Sequence, residues 1–232
     1  MQHPSDHAEI RDAIARLCAG FPGEYWRKLD REMAYPTEFV TALTESGFLS
    51  ALIPEEYGGA GLTLSAAAVI MEEIQRQGCN GAACHAQVYV MGTVLRHGSE
   101  DQKQRYLPKI ASGDLRLQAF GVTEPTSGTD TTALRTTARR DGDHYVVNGQ
   151  KIWTSRAAQS DLMLLLARTT PRDQAAKRTD GLSVFILDMR EALKDGLTIR
   201  PIRTMMNHAT TEVFFDNVKA PAENLGGVEG KG

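Results

Sequence analysis

The chain has 232 residues, enough for one large domain or two of ordinary size around a real core. Hydrophobic residues make up 41% and the formal charge is −3, so the composition is that of a folded protein and lacks the basic excess of a nucleic-acid binder. The opening MQHPSDHAEI has no basic region ahead of an apolar core, and the longest apolar run, LMLLLA at 162–167, suits a buried strand rather than a membrane span. Three cysteines, Cys18, Cys79 and Cys84, are too few and too uneven in number for a disulfide framework; they point to a reducing, cytoplasmic setting and read as buried thiols rather than metal ligands.

Up to about residue 115 the apolar period is helical. Ile10, Ala13, Ile14 and Leu17 form one stripe ended by Gly20 and Pro22; Phe39, Val40 and Leu43 form another between Pro36 and Gly47. The glycines at 58, 59 and 61 do not follow a strand or open a helix as a dinucleotide fingerprint requires, so they read as a tight turn with close backbone approach. A helix over 65–77 carries Glu72 and Glu73, adjacent residues about 100° apart that do not share a site and suit a solvated face or salt bridges. The next helix, 81–96, is apolar over most of its circumference, so His85 and Gln87 are either satisfied core groups or the lining of a ligand cavity. Ser99 and Gln102 form a capping box, and Pro108 is expected to interrupt that helix and leave a short second turn over 108–111.

Beyond Arg116 the period becomes that of strands, expected at 117–122, 134–140, 144–147, 150–155, 162–168, 182–187, 197–202 and 212–215. Asp141-Gly142 and Asn148-Gly149 are two-residue hairpin signals, so the second to fourth strands should form an antiparallel meander. The fold class is therefore α+β: an all-helical domain over 1–116, then an antiparallel β-barrel or sandwich domain over 117–232.

Two stretches of the second domain are candidates for chemistry. GVTEPTSGTD (121–130) is a loop in which Pro125 and Gly128 stop helix and strand alike, so its polar groups are satisfied by water, by its own turns or by a ligand. KIWTS (151–155) places Trp153 beside two hydroxyl residues, which suits either an aromatic core plug with a capping Thr or a platform for a planar heteroaromatic ring.

These stretches, with IPEEYGGAGL (53–62), SEDQKQRYLPKIASGD (99–114), NGQKIWTS (148–155) and EVFFDNVKAPAENL (212–225), resemble the N-terminal and middle domains of the acyl-CoA dehydrogenase family in order and spacing across nearly the whole chain. The resemblance implies FAD as cofactor and α,β-dehydrogenation of an acyl-CoA thioester in fatty-acid metabolism. An electron-transfer flavoprotein is the implied electron acceptor, and the full-length form is implied to be a homo-oligomer. It also assigns residues. Val122 and Thr123 would donate to the pyrimidine side of the flavin, with Phe120 nearby. Trp153 would pack on the ring face, Ser155 would reach the N5 region, and Thr154 would add backbone contacts. Thr129 stands where many relatives have serine near the pantetheine arm of CoA, and His85 falls in the helix bordering the acyl cavity. Gly226 departs from the usual apolar residue.

Family members continue into a C-terminal helical bundle that supplies the catalytic glutamate. No residue here is assigned as that base, including Glu56, Glu72 and Glu124, and the chain is expected to be a fragment or truncated member that binds FAD weakly. Two alternatives are a flavin oxidase or monooxygenase relative and a non-catalytic or degenerate binding protein.

Overall fold

A computed structural model describes residues 7–232, which divide into two units: the residues up to Leu95 with Lys103–Leu115, and Arg96–Gln102 with Arg116–Gly232. The first unit is helical and the second is built on a mostly antiparallel β-sheet.

Helices α1 (Ala8–Ala19), α2 (Gly23–Glu32), α3 (Thr37–Glu45), α4 (Leu64–Arg76) and α5 (Ala82–His97) are followed by α6 (Glu100–Ser112). Their apolar stripes converge, with Ile14 and Cys18 of α1, Phe39 and Leu43 of α3, and Ile70 and Ile74 of α4 in one buried cluster. All three cysteines are buried free thiols, and burial pushes the Cys84 thiol up to about 12. Glu73 is buried, not solvated, and pairs with Arg11 of α1 at 3.2 Å while Glu72 pairs with the same guanidinium at 2.7 Å. The turn after Ile53 needs glycine at 59, where a Cβ would overlap the Ile53 carbonyl. The Ser99–Gln102 capping box is present in both directions, at 3.1 and 3.2 Å. Pro108, however, does not break its helix: α6 runs through it to Ser112. Leu107 and Ile110 on either side are fully buried, and the packing of that face outweighs one missing backbone donor.

The second unit holds β1 (Leu117–Gly121), β2 (Thr137–Asp141), β3 (His144–Ser155), β4 (Leu162–Arg168), β5 (Leu182–Asp188), the short helix α7 (Met189–Ala192), β6 (Leu197–Pro201), β7 (Thr210–Pro221) and β8 (Leu225–Gly226). The strands form one eight-stranded sheet in the order β6-β7-β3-β2-β4-β5-β8, with β1 pairing β4 off this path. Most pairings are antiparallel; β1 with β4 and the single β2–β4 contact are parallel. The core beneath it contains Tyr145, Val147, Met163, Leu165, Phe185, Val213 and Val218. The Asp141-Gly142 hairpin forms as expected, but Asn148-Gly149 is not a turn, so the three-strand meander over 134–155 does not exist. Instead β3 runs twelve residues against β7, which is bulged where Asp216 and Asn217 face the single residue Asn148; beside it Gly149 takes φ +147°, and a Cβ there would lie 2.5 Å from Thr136 Oγ1. Glycine is there for close approach of a neighbouring backbone, one of its two meanings inside a strand.

Candidate functional site

Two stretches of the β unit meet where β1 and β3 end. β1 buries its other residues and leaves Phe120 38% exposed. Past Gly121 the carbonyls of the chain are taken up by β3: Val122 O accepts from Lys151 Nζ at 3.0 Å, and Thr123 O accepts from the Ile152 N–H at 2.8 Å. Glu124 and Ser127 then close a turn with reciprocal backbone hydrogen bonds of 2.9 and 3.1 Å around Pro125 and Thr126. Proline at the first central position presets such a turn. Thr129 is exposed beyond it, next to Asp130, whose carboxylate accepts from the Thr132 N–H at 3.2 Å and pairs with Arg178.

The Glu124 side chain turns inward. Its carboxylate accepts from the N–H groups of Arg135 at 2.7 Å and Thr136 at 2.9 Å and from Lys151 Nζ at 2.9 Å. Both members of this ion pair are dry, Lys151 at 0% exposure and Glu124 at 5%. Burial pushes the Lys151 ammonium down to about 8 although the Glu124 charge opposes it. Burial raises Glu124, but the Thr136 and Arg135 hydrogen bonds and the Lys151 charge outweigh it and hold the carboxyl below its ordinary range.

From Lys151 the strand enters a second bulge. Lys151 pairs with Val213 and Thr154 with Thr211, so Ile152 and Trp153 face a single residue of β7. Trp153 takes φ +60°, a left-handed conformation that a bulky residue adopts only under constraint, and its side chain is 58% exposed. The extra residue restores the inward phase at Thr154, which is 1% exposed; its carbonyl accepts from Thr211 Oγ1 at 2.8 Å, while its own buried Oγ1 has no hydrogen-bond partner. Ser155 Oγ accepts from the Asn207 amide at 2.9 Å, which leaves its own proton free to donate.

Phe120, Val122, Thr123, Trp153, Thr154 and Ser155 thus belong to one unit, and the Thr123–Ile152 hydrogen bond ties their two stretches together. Thr129 is in the same unit. His85 is in the other, exposed on α5 with its ring 5.0 Å from that of Tyr89 one turn on. Gln87 of that helix is fully buried, its Nε2 donating to Leu49 O at 3.1 Å. Sequence reasoning missed Lys151 and Asn207, and considered Glu124 only as a base. A lysine in an alternating strand signals the solvent face, and nothing local marks the bulge that changes the phase after it. Among the described residues no group of three or more His, Cys, Asp or Glu is placed to hold a metal ion, and no helix is long and apolar enough to cross a membrane.

An exposed aromatic at a strained bulge, a serine proton free to donate and a peptide edge form an uncharged donor and acceptor set. That set fits a planar ring with carbonyl and ring-nitrogen edges better than it fits a phosphate or a metal.

The family description "Acyl-CoA dehydrogenase, N-terminal domain" matches residues 4–114, and "Acyl-CoA dehydrogenase, middle domain" matches 119–218. The chain belongs to the acyl-CoA dehydrogenase family. It is 38% identical to the glutaryl-CoA dehydrogenase of Desulfococcus multivorans, over 97% of this chain and 57% of that protein. A glutaryl-coenzyme A dehydrogenase solved in complex with glutaryl-CoA superposes with TM-score 0.88 at 32% identity, over 100% of this chain and 59% of that one. A chain in the structure of the electron transferring flavoprotein of Acidaminococcus fermentans gives TM-score 0.87 at 30% identity, over 100% and 60%. The chain therefore spans less than two thirds of the length of each.

Proposed function

We propose that this chain is the N-terminal and middle part of an FAD-dependent acyl-CoA dehydrogenase, with an electron-transfer flavoprotein as electron acceptor and a homo-oligomeric full-length form. The observation that carries the reading is the tie between Thr123 and the Trp153 bulge, which presents an aromatic face and polar donors at one place. The chemistry that a bound FAD supplies is acceptance of hydride from the β carbon of an acyl thioester. The indole of Trp153 offers the ring its face, and its constrained backbone preorganises that face before binding. The Ser155 hydroxyl, positioned by Asn207, donates toward N5, and the Thr123 N–H and the Val122 backbone address the pyrimidine edge, where reduction places charge. Phe120 borders the ring, and Thr154 contributes backbone contacts. Thr129 and His85 are assigned to the CoA arm and the acyl chain.

Neither buried glutamate is free to act as the base. Glu124 is committed to Lys151 and two N–H groups, and Glu73 to Arg11 and Gln77. Proton abstraction falls to a part of the relatives' length that residues 1–232 do not span.

Titration of the 232-residue chain with FAD, followed by flavin fluorescence and visible absorption, tests the reading. Saturable but weak binding that is lost on gel filtration is expected. Absence of any saturable binding overturns it.

A further inference from the structure

Lys151, fully buried, is the most buried charged group in the β unit and is not among the residues placed against the flavin. Lys151 sends one proton to Glu124 Oε1 at 2.9 Å and another to Val122 O at 3.0 Å. The peptide that bears Val122 O also bears the Thr123 N–H, and no peptide bond here is cis. In a planar trans peptide the carbonyl and N–H point in opposite directions. The ammonium therefore touches one end of the very peptide whose other end is assigned to the ring edge. A cation bound to a carbonyl draws electron density through the amide and makes the N–H on the far side a stronger donor, as in any hydrogen-bonded chain in a low dielectric.

Satisfying Val122 O alone does not require a charge; a neutral amide or hydroxyl would serve, without the desolvation that a dry ion pair entails. Glu124 in turn is anchored by two backbone N–H groups, so it holds the ammonium on the Val122 carbonyl rather than drawing it away.

We infer that Lys151 is a positioning residue for the flavin, polarising the Val122–Thr123 peptide so that the Thr123 N–H stabilises negative charge on the pyrimidine edge, with Glu124 fixing the ammonium in place. This rests on the flavin reading above. It predicts that the charge matters more to reduced than to oxidised flavin, which separates it from a purely structural tie.

The test compares the wild-type chain with Lys151→Met/Glu124→Gln, which removes both charges, and with Lys151→Arg, which keeps a charged donor. Lys151→Gln/Glu124→Gln, which keeps a neutral donor toward Val122 O, replaces the first double variant if circular dichroism shows that the latter does not fold. For each folded protein the FAD affinity, the visible spectrum and the flavin midpoint potential are measured. The charge-free variant should bind oxidised FAD about tenfold more weakly. Its affinity for the reduced form should fall by a further tenfold, seen as a potential more negative by about 30 mV for the two-electron couple. Lys151→Arg should recover most of both. A folded charge-free variant with wild-type affinity and potential overturns the inference and leaves the flavin reading standing. A wild-type chain without saturable flavin binding overturns both.

Discussion

Each unit buries one glutamate against a cation, and the two pairs are built differently. Glu73 of α4, 2% exposed, is covered by its own partners: Gln77 at 2.6 Å, Arg11 at 3.2 Å and Arg76 at 3.7 Å, whose side chains are 18% and 69% exposed for the two arginines. Glu124 and Lys151 are closed off together, and three of their four side-chain hydrogen bonds go to backbone. Glu73 joins two helices at a place that water can reach when a partner is lost. Glu124 joins a loop to a strand where water cannot.

The same chemistry therefore has unequal consequences. Lys151→Met should cost about 3–5 kcal/mol in urea unfolding, because it strands a carboxylate in a dry site. Arg11→Met should cost only a small part of that, since Glu73 keeps Gln77 and Arg76 and can recruit solvent. Equal losses would dissolve the distinction. The pH dependence sharpens it. Between about 8 and the ordinary lysine value of 10.5, the unfolded chain binds a proton at Lys151 that the folded chain does not. Stability from this group therefore rises with pH across that window. Measured against Lys151→Arg, which stays charged, the wild type should gain stability as pH rises through it. Glu73 and Glu124, both held low in the folded state, contribute stability above 4.5 that is lost as pH falls through their folded values.

A middle-sized effect is expected at Gly149. Replacement by alanine places a Cβ against Thr136 at φ +147° and should destabilise by about 1–3 kcal/mol in thermal or urea unfolding. This residue also marks the limit of what was legible. The α+β order, the helical stripes at Phe39 and Leu43 and the capping box at Ser99 follow from local pattern, because period and hydrogen-bond chemistry act over a few residues. Asn148-Gly149 carries the same local signal as Asp141-Gly142, yet only the second turns. The difference lies in Thr136 and in β7, which takes β3 as a twelve-residue partner, and pairing at that distance leaves no trace in a dipeptide. The same holds at the candidate site. The stretches 121–130 and 151–155 stand out by composition, whereas the inward turn of Lys151 follows the phase of Tyr145 and Val147 on the same strand, and the outward turn of Trp153 comes from a bulge set by register against Val213 and Thr211.

The smallest stability change is predicted where the consequence for binding is large. Trp153 sits at φ +60° with its ring mostly in solvent, so little apolar burial is lost on truncation. Trp153→Gly relieves a left-handed conformation that costs an L-residue about 1–2 kcal/mol. Against this stands the greater freedom of glycine in the unfolded chain, about 0.5–1 kcal/mol. The two nearly cancel, and the unfolding free energy should stay within about 1 kcal/mol of wild type. FAD affinity should nevertheless fall at least about tenfold, since the face offered to the ring is gone. Trp153→Phe, which keeps an aromatic face and the strain, should bind between the two. If Trp153→Gly instead unfolds the β unit, the indole is a structural plug, as the strand pattern alone also allowed. If it folds and binds FAD as wild type does, the bulge serves Thr154 and the pairing with β7 rather than a ligand.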